Sequence, residues 1–332
     1  MSQYQRRPID LMASLQNVAR GSIPLRAQER LAEEAGPHKK LFTSDLGVAE
    51  YLLAKDANCK PISQVMGSSI FHVAQIPDYK GTTGEMTVIS DAHRESRRRA
   101  IARLFEEAQF VGADAVIGVH LRERMITMGK RGKGGDDGGE ILEFTVVGTA
   151  VRAPWITHPP GQPVITDLSG QELWALAQDG WEPTCFLFEF MRYHVWHVTP
   201  QSIFTGEITE ATQAIDIARV TASTRIQTQA AAFGTEVVVG SDIQLKVKEV
   251  PCGANECERN DLDVDLSWIC TGIRRIPGAR RRTRVDVPPL TLTLTPLGKR
   301  QDEIIEAGDD SEEVERAAED AQEAALEQSE GR

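Results

Sequence analysis

Long apolar runs are missing from this 332-residue chain, and nothing approaches the roughly 18 consecutive apolar residues of a membrane-spanning helix. The opening stretch MSQYQRRPIDLMASLQNVARG holds no apolar segment of useful length, so no secretory leader is expected and the chain reads as cytoplasmic. Aromatic residues are scarce at 6%, which argues against large aromatic-lined pockets and against stacking platforms for nucleic acid. Cysteines are few and odd in number: Cys59, Cys185, Cys252, Cys257 and Cys270 make no disulfide framework. A Gly-x-Ser-x-Gly elbow is also absent, which removes the commonest nucleophilic-serine pattern.

What is present fits a globular protein, with 41% apolar and 26% charged residues. Of the net charge of −12, −11 falls within residues 302–332, where 13 acids face only Arg316 and Arg332. The body is therefore nearly neutral and the acidity belongs to a tail, expected to be disordered or at most a solvated helix.

The chain repeats itself. A shift of 122 residues carries Asp45 onto Asp167, Glu50 onto Glu172, His72 onto His194, Glu85 onto Glu207, Arg97 onto Arg219 and Arg103 onto Arg225. The same shift carries Gly118 onto Gly240, so one register holds over ~75 positions and marks a tandem duplication. Each copy reads as strand, short helix, strand, long helix and two further strands. Ile89, His93, Ser96, Ala100, Leu104, Ala108 and Val111 form the apolar stripe of the first long helix; Ala211, Ile215, Ala218, Ala222, Ile226, Ala230 and Phe233 form that of the second. The pair Gly148-Thr149 matches Gly272-Ile273 at a shift of 124, which predicts two extra residues in the second copy's last hairpin loop.

This divides the chain into a helical arm (1–40), a first module (41–152), a proline-rich and stiff spacer (153–163), a second module (164–277), a basic segment with an edge strand (278–300) and the acidic tail (301–332). In the arm, Asp10 suits a helix N-cap, and Pro24 suits the start of a second helix that Leu25 and Leu31 would dock.

FTSDL near the start, VMGSSIFHV, GEMTVIS before the long helix, GADAVIGV after it and FTVVGTAV at the end give the first copy a resemblance to the YbjQ-like family. The second copy is similar but has Glu189-Phe190-Met191 where the first has Gly67-Ser68-Ser69. The resemblance implies an α+β fold of the dodecin-subunit type, a long helix on a small curved antiparallel sheet, and assembly into pentameric rings. It also carries a heavy-metal-binding label, for which the matched His72 and His194 are the candidate ligands of a divalent metal.

Against that label stands the absence of a ligand cluster around either histidine, since histidine at a matched position more often has a structural hydrogen bond. Cys252 and Cys257 make at best half a zinc site. Gly132-Lys133-Gly134 opens a hairpin, not the helix a P-loop needs. Asp45 and Asp167 are expected as helix N-caps, and Arg97/Arg219 and Arg103/Arg225 as salt-bridge or subunit contacts. Gly118 and Gly240 are expected where strands pack closely. The arginines 94, 97, 98 and 99 suggest nucleic acid, but a neutral body and an acidic tail disfavour it. The expectation is a non-enzymatic homo-oligomer, a pentamer or a larger hollow shell, with metal binding or storage as the alternative and no resident cofactor.

Overall fold

A computed structural model describes residues 10–35, 43–73, 82–127, 140–198, 207–251 and 260–279. All of them lie in one compact unit, Met1–Arg282; a second unit, Thr283–Arg332, is outside the described residues, as are Cys252, Cys257 and the glycine-rich loop at 129–139.

The arm is two helices, α1 (Leu11–Ala19) and α2 (Leu25–Ala35). Asp10 caps α1, its carboxylate accepting the Ala13 N–H at 3.0 Å. Leu31 and Ile23 are fully buried against the first copy. Arg30 reaches Glu107 at 2.8 Å, and the Ile23 N–H donates to Glu106 at 3.1 Å.

The first copy follows as α3 (Val48–Asp56), β1 (Lys60–Val73), β2 (Gly84–Glu85), α4 (Thr87–Phe110), β3 (Ala115–Thr127) and β4 (Glu140–Arg152). The second runs β5 (Val164–Ile165), α5 (Gly170–Gln178), β6 (Trp181–Val198), α6 (Thr209–Ala232), β7 (Val237–Pro251) and β8 (Asn260–Arg275). The long helices lie on their sheets through the expected small-residue stripes. In α4 the stripe Ile89, His93, Ser96, Ala100, Leu104, Ala108 is buried throughout; in α6 it is Ala211, Ala214, Ala218, Ala222, Ile226 and Ala230, with the expected Ile215 only half-buried and Ala214 buried in its place. Phe233, placed in that stripe by the pattern, instead lies past the last turn and is 55% exposed. Small residues let helix and strand approach closely: a Cβ at Gly67 of β1 would come within 1.9 Å of the Ala100 carbonyl of α4.

Three expectations are corrected. The caps of α3 and α5 are Gly47 and Ser169, not Asp45 and Asp167; Glu50 and Glu172 accept the cap N–H groups at 2.7 and 2.8 Å, and the aspartates lie two residues upstream. The last strand keeps the shift of 122: Val116 pairs with Ala150 and Val238 with Gly272, so Thr149 matches Thr271 and no residues are gained in the hairpin. Gly118 and Gly240 are needed for backbone handedness, not closeness. Each sits at a register break with φ of +61° or +67°, and an added Cβ would meet nothing nearer than 3.4 Å.

The sheets are ordered β1-β4-β3-β5 and β2-β6-β8-β7. Each contains a short strand from the other copy: β5 pairs parallel to β3, and β2 pairs antiparallel to β6. The spacer is not simply extended. It turns, and Ile156 is buried in a cluster that also holds Ala54, Ile117 and Leu173 from both copies.

Candidate functional site: the junction between the two copies

On the first side of the junction, segment 164–168 adds to the edge of β3. The Val164 N–H donates to the Asp114 carbonyl at 3.0 Å and the Thr166 N–H to that of Val116 at 2.9 Å; the Gly118 N–H donates to the Leu168 carbonyl at 2.8 Å. The segment is also fixed to its own copy, where the Asp167 N–H donates to the Thr271 hydroxyl at 3.2 Å and the Thr166 hydroxyl lies 2.8 Å from that of Thr271, while the Leu168 N–H donates within the segment to the Thr166 hydroxyl at 3.1 Å. Helix α5 then lies against α3. A Cβ at Gly170 would stand 2.4 Å from the Glu50 carbonyl, so glycine is required for this approach, and Trp174 donates to Asp56 at 2.6 Å.

On the second side, the start of α4 lies on β6. The Met86 N–H donates to the Arg192 carbonyl at 2.8 Å, and the Arg192 N–H to the Ser90 hydroxyl at 3.0 Å. Between these contacts runs a line of charges, some buried and some half-buried. Arg94 donates to Glu189 at 2.7 Å and to the Phe190 carbonyl at 3.1 Å. Arg225 holds Glu85 at 2.7 and 3.0 Å. Arg97, 1% exposed, pairs with Glu123 at 2.6 Å and lies between the rings of Phe144 and Phe190, 5.3 and 5.1 Å away. His93 stacks on Phe190 at 3.7 Å with its Nδ1 3.1 Å from Glu123, and Arg192 clasps Asp265 at 2.5 and 2.8 Å.

These contacts set the charges. Burial pushes the Glu123 carboxyl up, but the His93 hydrogen bond and the Arg97 charge outweigh it and hold the group at about 2. The same competition, with Arg192 as the partner, leaves Asp265 below the usual carboxylate range. Burial drives His93 down, towards the neutral ring. The arrangement is one of paired, locked charges. Removing one member of such a buried pair costs ~3–5 kcal/mol because the other is left uncompensated.

The residues matched between copies separate here. Arg97 and Arg225 are in the junction, whereas Arg219 is exposed and Arg103 ties its own copy to the helical arm, donating to the Ser68 and Val18 carbonyls. Asp167 is tied to Thr271, and burial raises its carboxyl to about 6; Asp45 has its N–H on Thr149 at 3.0 Å and its carboxylate 3.9 Å from His120. His72 is exposed and paired in register with Ile141, while His194, at the equivalent place, meets Asp263 at 2.8 Å through Nδ1 and Asp261 at 3.6 Å through Nε2. Those carboxylates approach opposite ring nitrogens and do not converge on one point. Among the described residues, no group of three or more His, Cys, Asp or Glu could hold a metal ion. The arginine run is also engaged: Arg94 and Arg97 serve the junction, and Arg98 and Arg99 both bind Glu95 at 2.7 Å. Arg192, Glu123 and Asp265 were not singled out in the sequence. The replacement of Gly67-Ser68-Ser69 by Glu189-Phe190-Met191 was the available sign, because it places an acid opposite Arg94.

A family model described as "putative heavy-metal-binding" matches residues 63–154. The Mycobacterium tuberculosis protein named encapsulin nanocompartment protein Rv1762c is 34% identical over 226 residues, spanning 64% of this chain and 80% of that protein. The chain belongs to the YbjQ-like family. No solved structure matches it. The family model covers most of the first copy, the one with Gly67-Ser68-Ser69. Among the described residues, no helix of this YbjQ-like protein is long and apolar enough to cross a membrane.

Proposed function

We propose that this chain is a structural protein without enzymatic activity that associates with copies of itself into rings, pentameric in the simplest case, and closes them into a hollow cytoplasmic shell. The observation that carries the reading is the head-to-tail junction. Two copies of one module already dock through different faces, and an association of that kind repeats until it closes or grows. The similarity to a nanocompartment protein supports it. In this reading Asp45, Asp167, Arg97, Arg219, Arg103, Arg225, Gly118 and Gly240 shape the module or its contacts, and His72 and His194 are the positions at which a bound divalent metal is to be sought.

Size-exclusion chromatography with light scattering and negative-stain electron microscopy test it. Expected are particles many times the 36.6 kDa chain mass with a hollow interior and fivefold views. A species near 36.6 kDa across a wide concentration range overturns the proposal.

A further inference from the structure

Each half of the intrachain junction has a counterpart, 122 residues away, that nothing in the described chain covers. Strand β7 is the outermost of its sheet, and its start corresponds to the β3 edge that β5 covers. Ala115, Val116 and Ile117 are fully buried under β5, whereas their counterparts Val237, Val238 and Val239 are not, Val237 being 43% exposed. The segment that would cover them is Thr43–Leu46, the counterpart of residues 165–168. It is held on its own copy as its twin is, by the Asp45 N–H on the Thr149 hydroxyl at 3.0 Å and by the Ser44 hydroxyl 3.2 Å from that of Thr149, and it is shaped internally by the Leu46 N–H on the Ser44 hydroxyl at 3.1 Å. It is therefore preset in the docking conformation, which lowers the ordering cost of association.

The second half repeats the pattern. Arg192 of β6, 3% exposed under the start of α4, corresponds to Ile70 of β1, which is 74% exposed. Met86, at 5%, corresponds to Ile208 at 40%; Gly170 and Trp174 of α5 correspond to Val48 and Leu52 of α3, exposed at 82% and 59%. Large apolar residues thus lie uncovered at the positions the intrachain junction buries, and on both complementary faces.

We infer that a second copy of this chain docks here, its Thr43–Leu46 adding in parallel to the β7 edge while its Ile70 receives the start of α6. This rests on the self-assembly proposed above and says how it is made. The Ser44 N–H then donates to the Val238 carbonyl, and the Gly240 N–H to the Leu46 carbonyl. The Ile208 N–H donates to the Ile70 carbonyl, whose own N–H donates to the Thr212 hydroxyl. Within the chain the equivalent four bonds measure 2.9, 2.8, 2.8 and 3.0 Å. One side cannot be copied. Val48 replaces Gly170, whose missing Cβ allows α5 to touch the Glu50 backbone, so the junction between chains is held wider at its helices than the junction within them. Modules alternate around any closed ring, in whole chains, with two kinds of junction angle.

The test uses the full chain with Cys252→Ser and Cys257→Ser. Thr43 and Val238 would be directly paired neighbours, with Cα atoms ~4.8 Å apart, within disulfide range. Protein carrying Thr43→Cys is mixed with protein carrying Val238→Cys, disassembled, reassembled and oxidised. A reducible band at twice the chain mass, absent when either variant is oxidised alone, is expected. With both substitutions in one chain, a ladder of covalent oligomers is expected. Only monomer-sized bands, while light scattering still reports large particles, overturn this junction and leave self-assembly standing; a wild-type chain that stays monomeric overturns both. Val238→Pro is the disrupting variant, its counterpart Val116 having its carbonyl turned to β5 and away from β4. It should lose large particles while keeping the wild-type circular dichroism spectrum, and particles of unchanged size overturn the inference.

Discussion

The two copies share one backbone plan at one register, yet the face of strand β1 turned away from its helix is left partly open, with Ile70 74% exposed, where strand β6 is enclosed and holds Glu189 and Arg192. Gly67 lets Ala100 of α4 approach β1, while Glu189, its counterpart, receives Arg94 and Arg225 from both long helices. His72 lies open beside Ile141; His194 is buried between two aspartates. Each copy presents an equivalent pair of surfaces, but only one member of each pair is used inside the described chain. On β6 the used positions include Glu189 and Arg192, where the unused positions of β1 have Gly67 and Ile70. The differences between the copies therefore mark the internal junction, and apolar exposure at the unused positions marks the surface proposed above for a second copy.

The largest effect should separate Arg97 from Arg219. Arg97→Met takes the main cation from Glu123, whose side chain is 25% exposed, and empties the buried place between Phe144 and Phe190, a loss of about 2–4 kcal/mol. Arg219→Met acts on an exposed side chain and should change stability by less than about 0.5 kcal/mol. Thermal and denaturant unfolding check both, and equal losses would dissolve the distinction between the copies. His194→Ala should follow at about 1–3 kcal/mol, since Asp261 and Asp263 lose a buried partner. His72→Ala should be close to neutral. Elemental analysis after growth with divalent metals bears on the alternative function: metal present in the wild type and lost in either variant would favour it, and metal unaffected by both would remove it.

The glycines offer a comparison expected to show no difference. Gly118 and Gly240 share a left-handed φ at the same break in register, so Gly118→Ala and Gly240→Ala should each cost about 1–2 kcal/mol by backbone strain alone. Substantially unequal losses would mean that contacts across the covered edge, not handedness, decide the first.

Much of the module was legible in the sequence because its causes are local. The small-residue stripes, the capping of α1 by Asp10 and the element order within each copy follow from spacing and side-chain type. The junction was not, because it depends on contacts such as Arg94 with Glu189 and Arg225 with Glu85, separated by 95 and 140 residues. Asp45 and Asp167 were misread as caps because Asx residues ahead of a helix usually are, whereas here their N–H groups are committed to threonines on the last strand. Gly148-Thr149 was misaligned because a Gly-Thr dipeptide resembles Gly272-Ile273, while the strand pairing shows that Thr149 and Thr271 serve the same purpose.

The smallest effect concerns acidity and isolates one carboxyl of the matched pair. Burial raises Asp167 from 3.8 to about 6, only partly opposed by the Thr271 hydroxyl. A carboxyl that binds its proton more tightly when folded favours folding as pH falls through 6, with the gain complete below the unfolded value near 4. Glu123 acts in the opposite sense at lower pH. Its folded value of about 2 lies under the ordinary 4.5, so its contribution is full above 4.5 and lost as pH drops towards 2. Between pH 6 and 4.5 the Asp167 contribution should therefore dominate the pair, on the order of 1 kcal/mol. Asp167→Asn should abolish that rise, and Asp45→Asn should leave it in place. If the stability profile of Asp167→Asn runs parallel to that of the wild type across this interval, Asp167 is ionised in the fold and the two aspartates are equivalent after all.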